Sequence, residues 1–254
     1  MKVIILAGGF GTRLSEYTSK IPKPMINIGN KPLLEHIMEI YAKAGHKDFY
    51  IALGYKAEII KDYFYKYKTI KSDFKINLST GDINSYGSNS PNWDVSLINT
   101  GDNTMTGGRI LRLKKYITNN TFLFTYGDAV TELNINEVIA FHKKHKKLLT
   151  ITAVRPAARF GEMKISSTNQ ITSFEEKPQI QEGWINGGYF VAEPGIFDYL
   201  DNDQTILERG PLEKLAKDGQ LMAYKHEGYW QCVDTKRDKD NLNNLLDKGE
   251  IPWL

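Results

Sequence analysis

The chain has 254 residues, of which 41% are hydrophobic and 25% are charged, and its formal net charge is +3. This composition is typical of a globular protein, and the length suffices for one large α/β domain with a sizeable core. The charges are interspersed and no basic face carries interleaved aromatic residues, which argues against nucleic-acid binding. No apolar run approaches the roughly 20 residues of a membrane span, so we expect no membrane association.

Cys232 is the single cysteine, which precludes an intramolecular disulfide and is typical of a reducing compartment. The N-terminus leads directly into a predicted strand, without the charged region and cleavage site of a signal peptide. We therefore expect a cytoplasmic protein.

The first predicted element is a buried parallel strand at residues 3–6, followed by a loop with three glycines in the four positions 8–11. Glycine permits positive φ and close backbone approach, so several N–H groups of such a loop can point at one anion. The guanidinium of Arg13 suits phosphate oxygens. The stretch predicts a cradle for a polyphosphate.

Two phosphate-binding motifs are excluded for this loop. A dinucleotide fingerprint needs glycine where Leu14 stands, and the Gly-Lys-Ser/Thr of a P-loop occurs nowhere in the chain. An ordinary glycine turn is the alternative, but Arg13 and a lysine between two prolines favour a site. Pro22 and Pro24 disfavour helix, so we predict that Lys23 is presented from an extended segment toward a phosphate.

The next patterns predict a largely parallel sheet in which strands alternate with helices. The predicted strands lie at residues 25–28, 49–53, 74–78 and 95–99, and the predicted helices at 33–44 and 59–67. Residues 79–92, rich in Ser, Asn and Gly, interrupt the alternation and are predicted to be an exposed excursion. A disordered surface loop, a lid and a contact between copies remain open for that segment.

Two more loops are expected to join the glycine loop at the carboxyl ends of the strands, where open α/β sheets bind ligands. One is residues 100–108, before a helix predicted to start near Arg109, and the other is residues 127–128, after a strand at 121–126. Asp128 is six residues before the next predicted helix start, which weakens a capping role. A carboxylate beside a polyphosphate is suited to hold Mg²⁺.

After a strand at residues 150–154, the pattern changes to short strands at 160–165, 171–176, 186–192 and 221–224 with little helix between them. We predict that they extend the sheet with antiparallel strands, before a last helix at 236–246. His142 and His145, in a lysine-rich run, are predicted to be solvated. No linker or repeat divides the chain, which predicts a single domain of residues 1–254.

Residues 6–14, LAGGFGTRL, followed by Pro22, Lys23 and Pro24, resemble the signature of the sugar-phosphate nucleotidylyltransferases. Further resembling stretches are residues 101–109, 124–128, 176–178, 185–188 and 230–234, so the match covers the whole chain. The resemblance implies an α/β fold with a Rossmann-like, mixed, mostly parallel sheet flanked by helices and a small antiparallel extension. It also implies an enzyme that joins a nucleoside triphosphate to a sugar 1-phosphate and releases pyrophosphate.

The resemblance assigns roles to individual residues and to the two halves of the chain, residues 1–154 for the nucleotide and 155–254 for the sugar phosphate. It makes Arg13, Lys23 and Asp128 catalytic, and Asp128 and Asp234 the ligands of Mg²⁺. The implied nucleotide-binding residues are Leu6, Ala7, Gly8, Gly9, Gly11, Thr12, Arg13, Lys23, Thr104, Gly107, Arg109, Gly127 and Asp128. The implied sugar-phosphate residues are Glu176, Lys177, Asn186 and Gly187.

Each of these assignments has a structural alternative. A surface ion pair with its acidic neighbours is open for Lys177, a tight turn for Asn186 and Gly187, and a helix cap for Asp234, while Cys232 is expected to pack rather than react. For the base, Arg109 is the candidate donor to O2 and N3 of cytosine. Residues 100–109 are similar to members of the family that use CTP and glucose 1-phosphate and form CDP-glucose for bacterial surface polysaccharides.

Two other functions remain open, the use of UTP or dTTP and a non-catalytic regulatory role. The resemblance also implies a homo-oligomer, a trimer or a hexamer.

Overall fold

Strands and helices alternate through most of the computed structural model, which describes residues 1–87, 90–117, 119–156, 162–168, 170–175 and 183–254. The strands are β1 Lys2–Leu6, β2 Asn27–Ile28, β3 Lys31–Pro32, β4 Asp48–Leu53, β5 Asp73–Ile76, β6 Ile83–Tyr86, β7 Asp94–Asn99, β8 Phe122–Tyr126, β9 Ala129–Thr131, β10 Leu149–Val154, β11 Glu162–Ile165, β12 Ile171–Glu175, β13 Ile185–Ala192, β14 Leu221–His226 and β15 Trp230–Cys232. The helices are α1 Ser15–Thr18, α2 Leu33–Lys43, α3 Ala57–Tyr65, α4 Tyr67–Ile70, α5 Thr106–Arg112, α6 Ile135–His145, α7 Pro211–Lys217 and α8 Lys236–Asp247, with 3-10 turns at Thr12–Leu14, Lys23–Met25, Lys114–Tyr116 and Pro194–Tyr199. None of these helices has the length and apolar character needed to cross a membrane.

A seven-stranded mixed sheet forms the centre, in the order β14-β10-β13-β8-β1-β4-β7. β1 runs parallel to both β4 and β8, and β4 runs parallel to β7. β13 lies antiparallel between β8 and β10. The predicted mixed, mostly parallel sheet flanked by helices is therefore confirmed, and β11 and β12 form a small antiparallel extension.

The prediction that the second half adds only antiparallel strands is wrong for β14, which pairs in parallel with β10. The chain reverses direction once after β13, through the 3-10 turn at Pro194–Tyr199 and α7, and so returns along the free edge of β10 in that strand's own direction. The helical content of this connection was also not predicted.

Two apolar layers cover the faces of the sheet, because successive side chains of a strand point to opposite sides. Val3 and Ile5 of β1 pack into the layer that includes α2, while Ile4 packs into the opposite layer with α5. Strands buried on both faces read as continuous apolar runs, which is why β1 and β8 were recognisable in the sequence.

The segment predicted as a strand of the main sheet at residues 74–78 lies outside it. Among the described residues β5 pairs with β6 alone, in an exposed antiparallel hairpin that also accounts for part of the predicted excursion at 79–92. The turn is closed locally, since Gly81 N donates to Asn77 O at 2.8 Å. Phe74, Ile76 and Ile83 share one face of the hairpin and are 42%, 44% and 51% exposed. We call this surface the hairpin face.

Two helical predictions also need correction. The helix predicted at residues 59–67 is two helices, α3 and α4, and the helix expected near Arg109 begins at Thr106.

His142 is not solvated but 1% exposed, with Nδ1 2.8 Å from Thr150 Oγ1 and Nε2 3.2 Å from Glu193 Oε1. It follows Val138 and Ile139 on the inner face of α6 at helical spacing, whereas the neighbouring lysines face outward.

Candidate active site

A cleft of about 600 Å³ opens at the carboxyl edge of the parallel strands. Its walls are the loops that follow β1, β7 and β8, as the strand-end argument predicted. Because β13 runs in the opposite direction, its first residues lie at this same edge of the sheet. Residues at the start of β13 and at the end of β8 thus become neighbours.

Most of the residues expected in the site line this cleft. They are Leu6, Ala7, Gly8, Gly9, Gly11, Thr12, Arg13, Lys23, Thr104, Arg109, Gly127, Asp128 and Asp234. Gly107, Asn186 and Gly187 are not part of its lining. Glu176 and Lys177 lie outside the described residues.

The glycine loop is shaped by contacts at both of its ends. Ala7 N donates to Ala52 O at 3.0 Å, which continues the pairing of β1 with β4 into the loop. Gly11 has a φ of +61°, a conformation that favours glycine, and precedes the 3-10 turn at Thr12–Leu14. Thr18 Oγ1 donates to Gly11 O at 3.0 Å and fixes that end.

Lys23 is not presented from an extended segment, as was predicted, but begins the 3-10 turn at Lys23–Met25. Pro22 is extended, with φ −67° and ψ 148°, and its carbonyl accepts from Met25 N at 2.8 Å. Pro24 occupies the first turn of a helix, where its missing N–H is not needed. The two prolines therefore fix a tight turn that directs Lys23 into the cleft.

Four charged side chains form one connected group, which we call the charge cluster: Arg13, Lys23, Asp128 and Asp234. Lys23 Nζ lies 2.9 Å from Asp128 Oδ2 and 2.6 Å from Asp234 Oδ1. Arg13 Nη1 lies 2.7 Å from the other oxygen of Asp234. The side chain of Lys23 is only 13% exposed, whereas that of Arg13 is 76% exposed.

Contacts within the charge cluster favour the ionised forms of Lys23 and Asp234. Burial opposes a charge on Lys23, but the negative charge of Asp128 and hydrogen bonds to both carboxylates outweigh it, so the pKa of Lys23 is raised. Burial likewise opposes a charge on Asp234, and the contacts with Lys23 and Arg13 outweigh it, so the pKa of that carboxyl is lowered. Lys23 and Asp234 are therefore both charged at neutral pH.

A short ladder brings the two aspartates together across 105 intervening residues. β9 follows Asp128 and pairs antiparallel with β15, which precedes Asp234, so that Ala129 faces Cys232. Val233 N donates to Asp128 O at 2.8 Å and extends the ladder. Asp234 is not the cap of α8, because Thr235 is the N-cap and forms a capping box with Asp238.

The donor atoms of this group fit a divalent cation. One oxygen each from Asp128 and Asp234 and the thiol of Cys232 lie within 4.8 Å of one another. Carboxylate oxygens are the ligands that hard cations prefer. Burial and the charge of Asp128 raise the pKa of the Cys232 thiol, which also packs against the core, so the two carboxylates are better suited than the thiol to bind a cation.

Arg109 has a different setting from the one expected of a residue that reads a base. It is 4% exposed, and its terminal nitrogens donate to protein acceptors in the loops that follow β1 and β7 and at the end of β4. Nη2 donates to Gly8 O at 2.9 Å, and Nη1 donates to Gly101 O at 2.7 Å and Thr100 Oγ1 at 2.8 Å. In this arrangement Arg109 braces the wall of the cleft, and donation to cytosine stays a prediction.

Asn186 and Gly187 make the contacts of a tight turn at the start of β13. Asn186 Oδ1 accepts from Gly188 N at 2.8 Å, and Asn186 Nδ2 donates to Tyr126 Oη at 3.2 Å. Gly187 O accepts from Trp230 Nε1 at 2.8 Å. Their binding of a sugar stays a prediction.

Sequence reasoning missed a polar group on the wall between Arg109 and Asn186. Glu208 accepts from Tyr126 Oη and from Thr106 Oγ1, the latter at 2.7 Å, and all three residues line the cleft. Gln204 lies beside them. Glu208 and Gln204 occupy a polar loop without a motif, so no signal in the sequence could have placed them there.

The sequence profile of the nucleotidyl transferase family matches residues 2–239, and the chain belongs to this family of enzymes. It is 48% identical over 254 residues to a glucose-1-phosphate cytidylyltransferase of Salmonella typhi, covering 100% of this chain and 98% of that protein. It is 41% identical to a probable glucose-1-phosphate cytidylyltransferase of Bacillus subtilis, covering 100% and 99%. The crystal structure of HddC from Yersinia pseudotuberculosis is similar at 28% identity with a TM-score of 0.72, covering 96% of this chain and 99% of that one.

Proposed function

We propose that the protein is a glucose-1-phosphate cytidylyltransferase, which converts CTP and α-D-glucose 1-phosphate into CDP-glucose and pyrophosphate. The observation that carries the proposal is the charge cluster beside the glycine loop, which places two cations suited to phosphate and two carboxylates suited to a metal ion in one cleft. The full-length similarity to proteins of that name supports the choice of substrates.

The reaction is a direct in-line transfer at phosphorus. A phosphate oxygen of glucose 1-phosphate attacks the α-phosphorus of CTP, the bond to the β-phosphate oxygen breaks, and pyrophosphate carries away the electron pair. The nucleophile is already ionised at neutral pH, so no general base is needed. The protein must instead hold two polyanions in line and stabilise the charge of the leaving group.

The residues of the cleft divide this task. The N–H groups of Gly8, Gly9 and Gly11 and the guanidinium of Arg13 hold the β- and γ-phosphates. Lys23 offsets charge near the α-phosphate. On the sugar side, Lys177 positions the phosphate of glucose 1-phosphate, and Asn186 exchanges hydrogen bonds with hydroxyl groups.

Asp128 and Asp234 are proposed to hold Mg²⁺, for which their oxygen donors are suited. When bound, Mg²⁺ supplies Lewis-acid stabilisation of the phosphate oxygens. We further propose that residues 1–154 serve the nucleotide and residues 155–254 the sugar phosphate, that the enzyme works in the cytoplasm, and that it feeds polysaccharide biosynthesis such as that of O-antigen.

We also propose that the chain forms a homo-oligomer, a trimer or a hexamer. The hairpin face supports self-association, because its apolar side chains remain exposed on an isolated two-stranded hairpin. Such hairpins are marginally stable without further packing.

A panel of substrates tests the proposed reaction. Pyrophosphate release is measured with CTP, UTP, ATP, GTP and dTTP, each against glucose 1-phosphate and its common isomers. We expect a clear preference for CTP with glucose 1-phosphate. A preference for UTP or dTTP would leave the reaction class intact and overturn the base assignment.

A non-catalytic regulatory protein is the other alternative. It is disfavoured because the charge cluster is complete. Folded protein that releases no pyrophosphate with Mg²⁺ and any pair of the panel would support it.

A further inference from the structure

Lys23 occupies the space between the two carboxylates that are suited to a cation. Its ammonium contacts Asp128 Oδ2 at 2.9 Å and Asp234 Oδ1 at 2.6 Å, and so bridges oxygens of both residues. Oxygens of the same two carboxylates lie within 4.8 Å of one another, close enough to share one ion. The side chain is 13% exposed, so this bridge is not a loose surface pair.

A divalent cation shared by these two oxygens and the ammonium of Lys23 exclude one another. Mg²⁺ binds oxygen at about 2.0–2.1 Å and requires near-octahedral geometry, which leaves no room for a second cation on the line between its ligands. Two like charges at such separation also repel strongly where water is partly excluded. Lys23 must therefore leave Asp128 Oδ2 and Asp234 Oδ1 before these two oxygens can bind one ion.

The charges of the cluster show what lets Lys23 leave. Arg13 and Lys23 balance Asp128 and Asp234, so the group as it stands is neutral. A divalent cation added alone gives this partly buried group an excess of positive charge. A triphosphate added alone is repelled by the negative charges of the two carboxylates. Added together, the phosphates accept the two side-chain cations while the carboxylates accept the ion.

We propose that Lys23 also excludes divalent cations from the Asp128 and Asp234 pair until nucleotide phosphates accept its ammonium. This inference rests on the proposed function, in that it takes the two aspartates as the metal ligands. Its consequence is that metal and nucleotide bind synergistically, each raising the affinity of the other by the same factor.

Binding of Mn²⁺ tests the inference without turnover. Free Mn²⁺ is measured by electron paramagnetic resonance during titration of the wild-type protein, of Lys23→Met and of Lys31→Met, with and without CTP. Protein-free titrations of Mn²⁺ with CTP supply the baseline. Lys31→Met is the matched control, because Lys31 is also a partly buried lysine in an ion pair, with Glu39, away from the cleft.

Without CTP, we expect Lys23→Met to bind Mn²⁺ about tenfold or more tightly than the wild type, because a competing cation has been removed. Lys31→Met should match the wild type. With CTP, the gain in Mn²⁺ affinity should be large for the wild type and small for Lys23→Met. Thermal melts establish that the variants are folded. If Lys23→Met does not fold, Lys23→Gln is used in its place.

Equal or weaker Mn²⁺ binding by folded Lys23→Met, without CTP, would overturn the inference, because Lys23 would then coexist with the ion. If the wild type binds Mn²⁺ in the presence of CTP while Asp128→Asn and Asp234→Asn do not, the proposed metal site stands even though the inference about Lys23 fails. If no variant binds Mn²⁺ even with CTP, the metal site itself fails, and the inference fails with it.

Discussion

The guanidinium of Arg109 fills the space into which a side chain at position 8 would project. A Cβ built on Gly8 would lie 2.2 Å from Nη1 of Arg109, and the carbonyl of Gly8 accepts a hydrogen bond from Nη2 at 2.9 Å. A Cβ on Gly9, the next residue, would meet no atom within 4 Å. The two adjacent glycines thus have different surroundings, since Gly8 is packed against Arg109 and Gly9 faces open space.

Substitution of these two glycines should therefore have unequal effects on stability. We expect Gly8→Ala to lower the free energy of unfolding by about 1–3 kcal/mol, since it forces a buried arginine out of place. Gly9→Ala should change it by no more than about 0.5 kcal/mol. Denaturant melts of both variants measure the difference, and equal stabilities would show that Arg109 does not hold the position described.

The two aspartates of the charge cluster are expected to control turnover rather than stability. Asp128→Asn and Asp234→Asn should each lower kcat by roughly 100-fold or more, comparable to the loss of one preorganised electrostatic group. The double variant should be little worse than either single one, because groups that act as a unit are not additive. Initial rates of pyrophosphate release across a range of Mg²⁺ concentrations provide the measurement.

Thr235→Ala is the control for this pair, because Thr235 is the residue that caps α8. It should cost about 1 kcal/mol of stability and leave kcat nearly unchanged. Near-normal turnover of Asp128→Asn or Asp234→Asn at limiting Mg²⁺ would contradict the two-carboxylate site.

Substitutions on the hairpin face test self-association. Replacing Phe74, Ile76 and Ile83 together by serine should yield a monomer, because exposed apolar patches of this kind mark association surfaces. Tyr65→Ser is the control, since Tyr65 is 88% exposed on α3 and not on the hairpin. Light scattering coupled to gel filtration gives the mass, and an unchanged mass in the triple variant would rule this face out as the contact.

His36 should make the fold less stable in mild acid. Its Nδ1 lies 3.2 Å from Trp253 Nε1, which can only donate, so the ring proton sits on Nε2 and is donated to Ile28 O at 3.0 Å. Burial lowers the pKa of His36 below its ordinary 6.5. Below pH 6.5 the unfolded chain therefore takes up a proton that the folded chain does not, and stability is lost as the pH falls toward the folded pKa.

Melts of the wild type and of His36→Phe between pH 8 and pH 5 check this. We expect the variant to have a lower stability at pH 8 and a shallower decline toward pH 5. Part of the decline should remain, because burial also lowers the pKa of His142. An unchanged slope in the variant would show that His36 is not among the groups responsible.

The parts of the fold that could be predicted are those whose local pattern and tertiary setting agree. β1 and β8 are buried on both faces, so their continuous apolar runs indicated that they are central strands of the sheet. Residues 74–78 alternate regularly between apolar and polar side chains, which also predicts a strand. The sequence alone does not indicate whether the apolar side of that strand packs against the core. In the structure this segment pairs with β6 and its apolar side remains exposed.

The candidate site was predictable where a residue's chemistry and its position along a strand pointed the same way, as at Asp128. It was not predictable where the contacts of a side chain depend on segments that are distant in sequence. Arg109 has the chemistry of a ligand-binding residue, yet backbone carbonyls brought together by folding engage its donors. Glu208 enters the cleft on a loop whose sequence is ordinary for a surface.

The central position of β1 has a consequence for the order in which the cleft can arise. β1 pairs on one side with β4, and on the other with β8, so that Val3 lies beside Leu123. The glycine loop is synthesised before β8, which forms its second wall and is translated more than a hundred residues later. Parallel pairings of such long sequence separation form slowly, because the intervening chain must be closed into a loop. The glycine loop is therefore made well before the strand that completes its surroundings, and it gains its final neighbours only when that distant pairing forms.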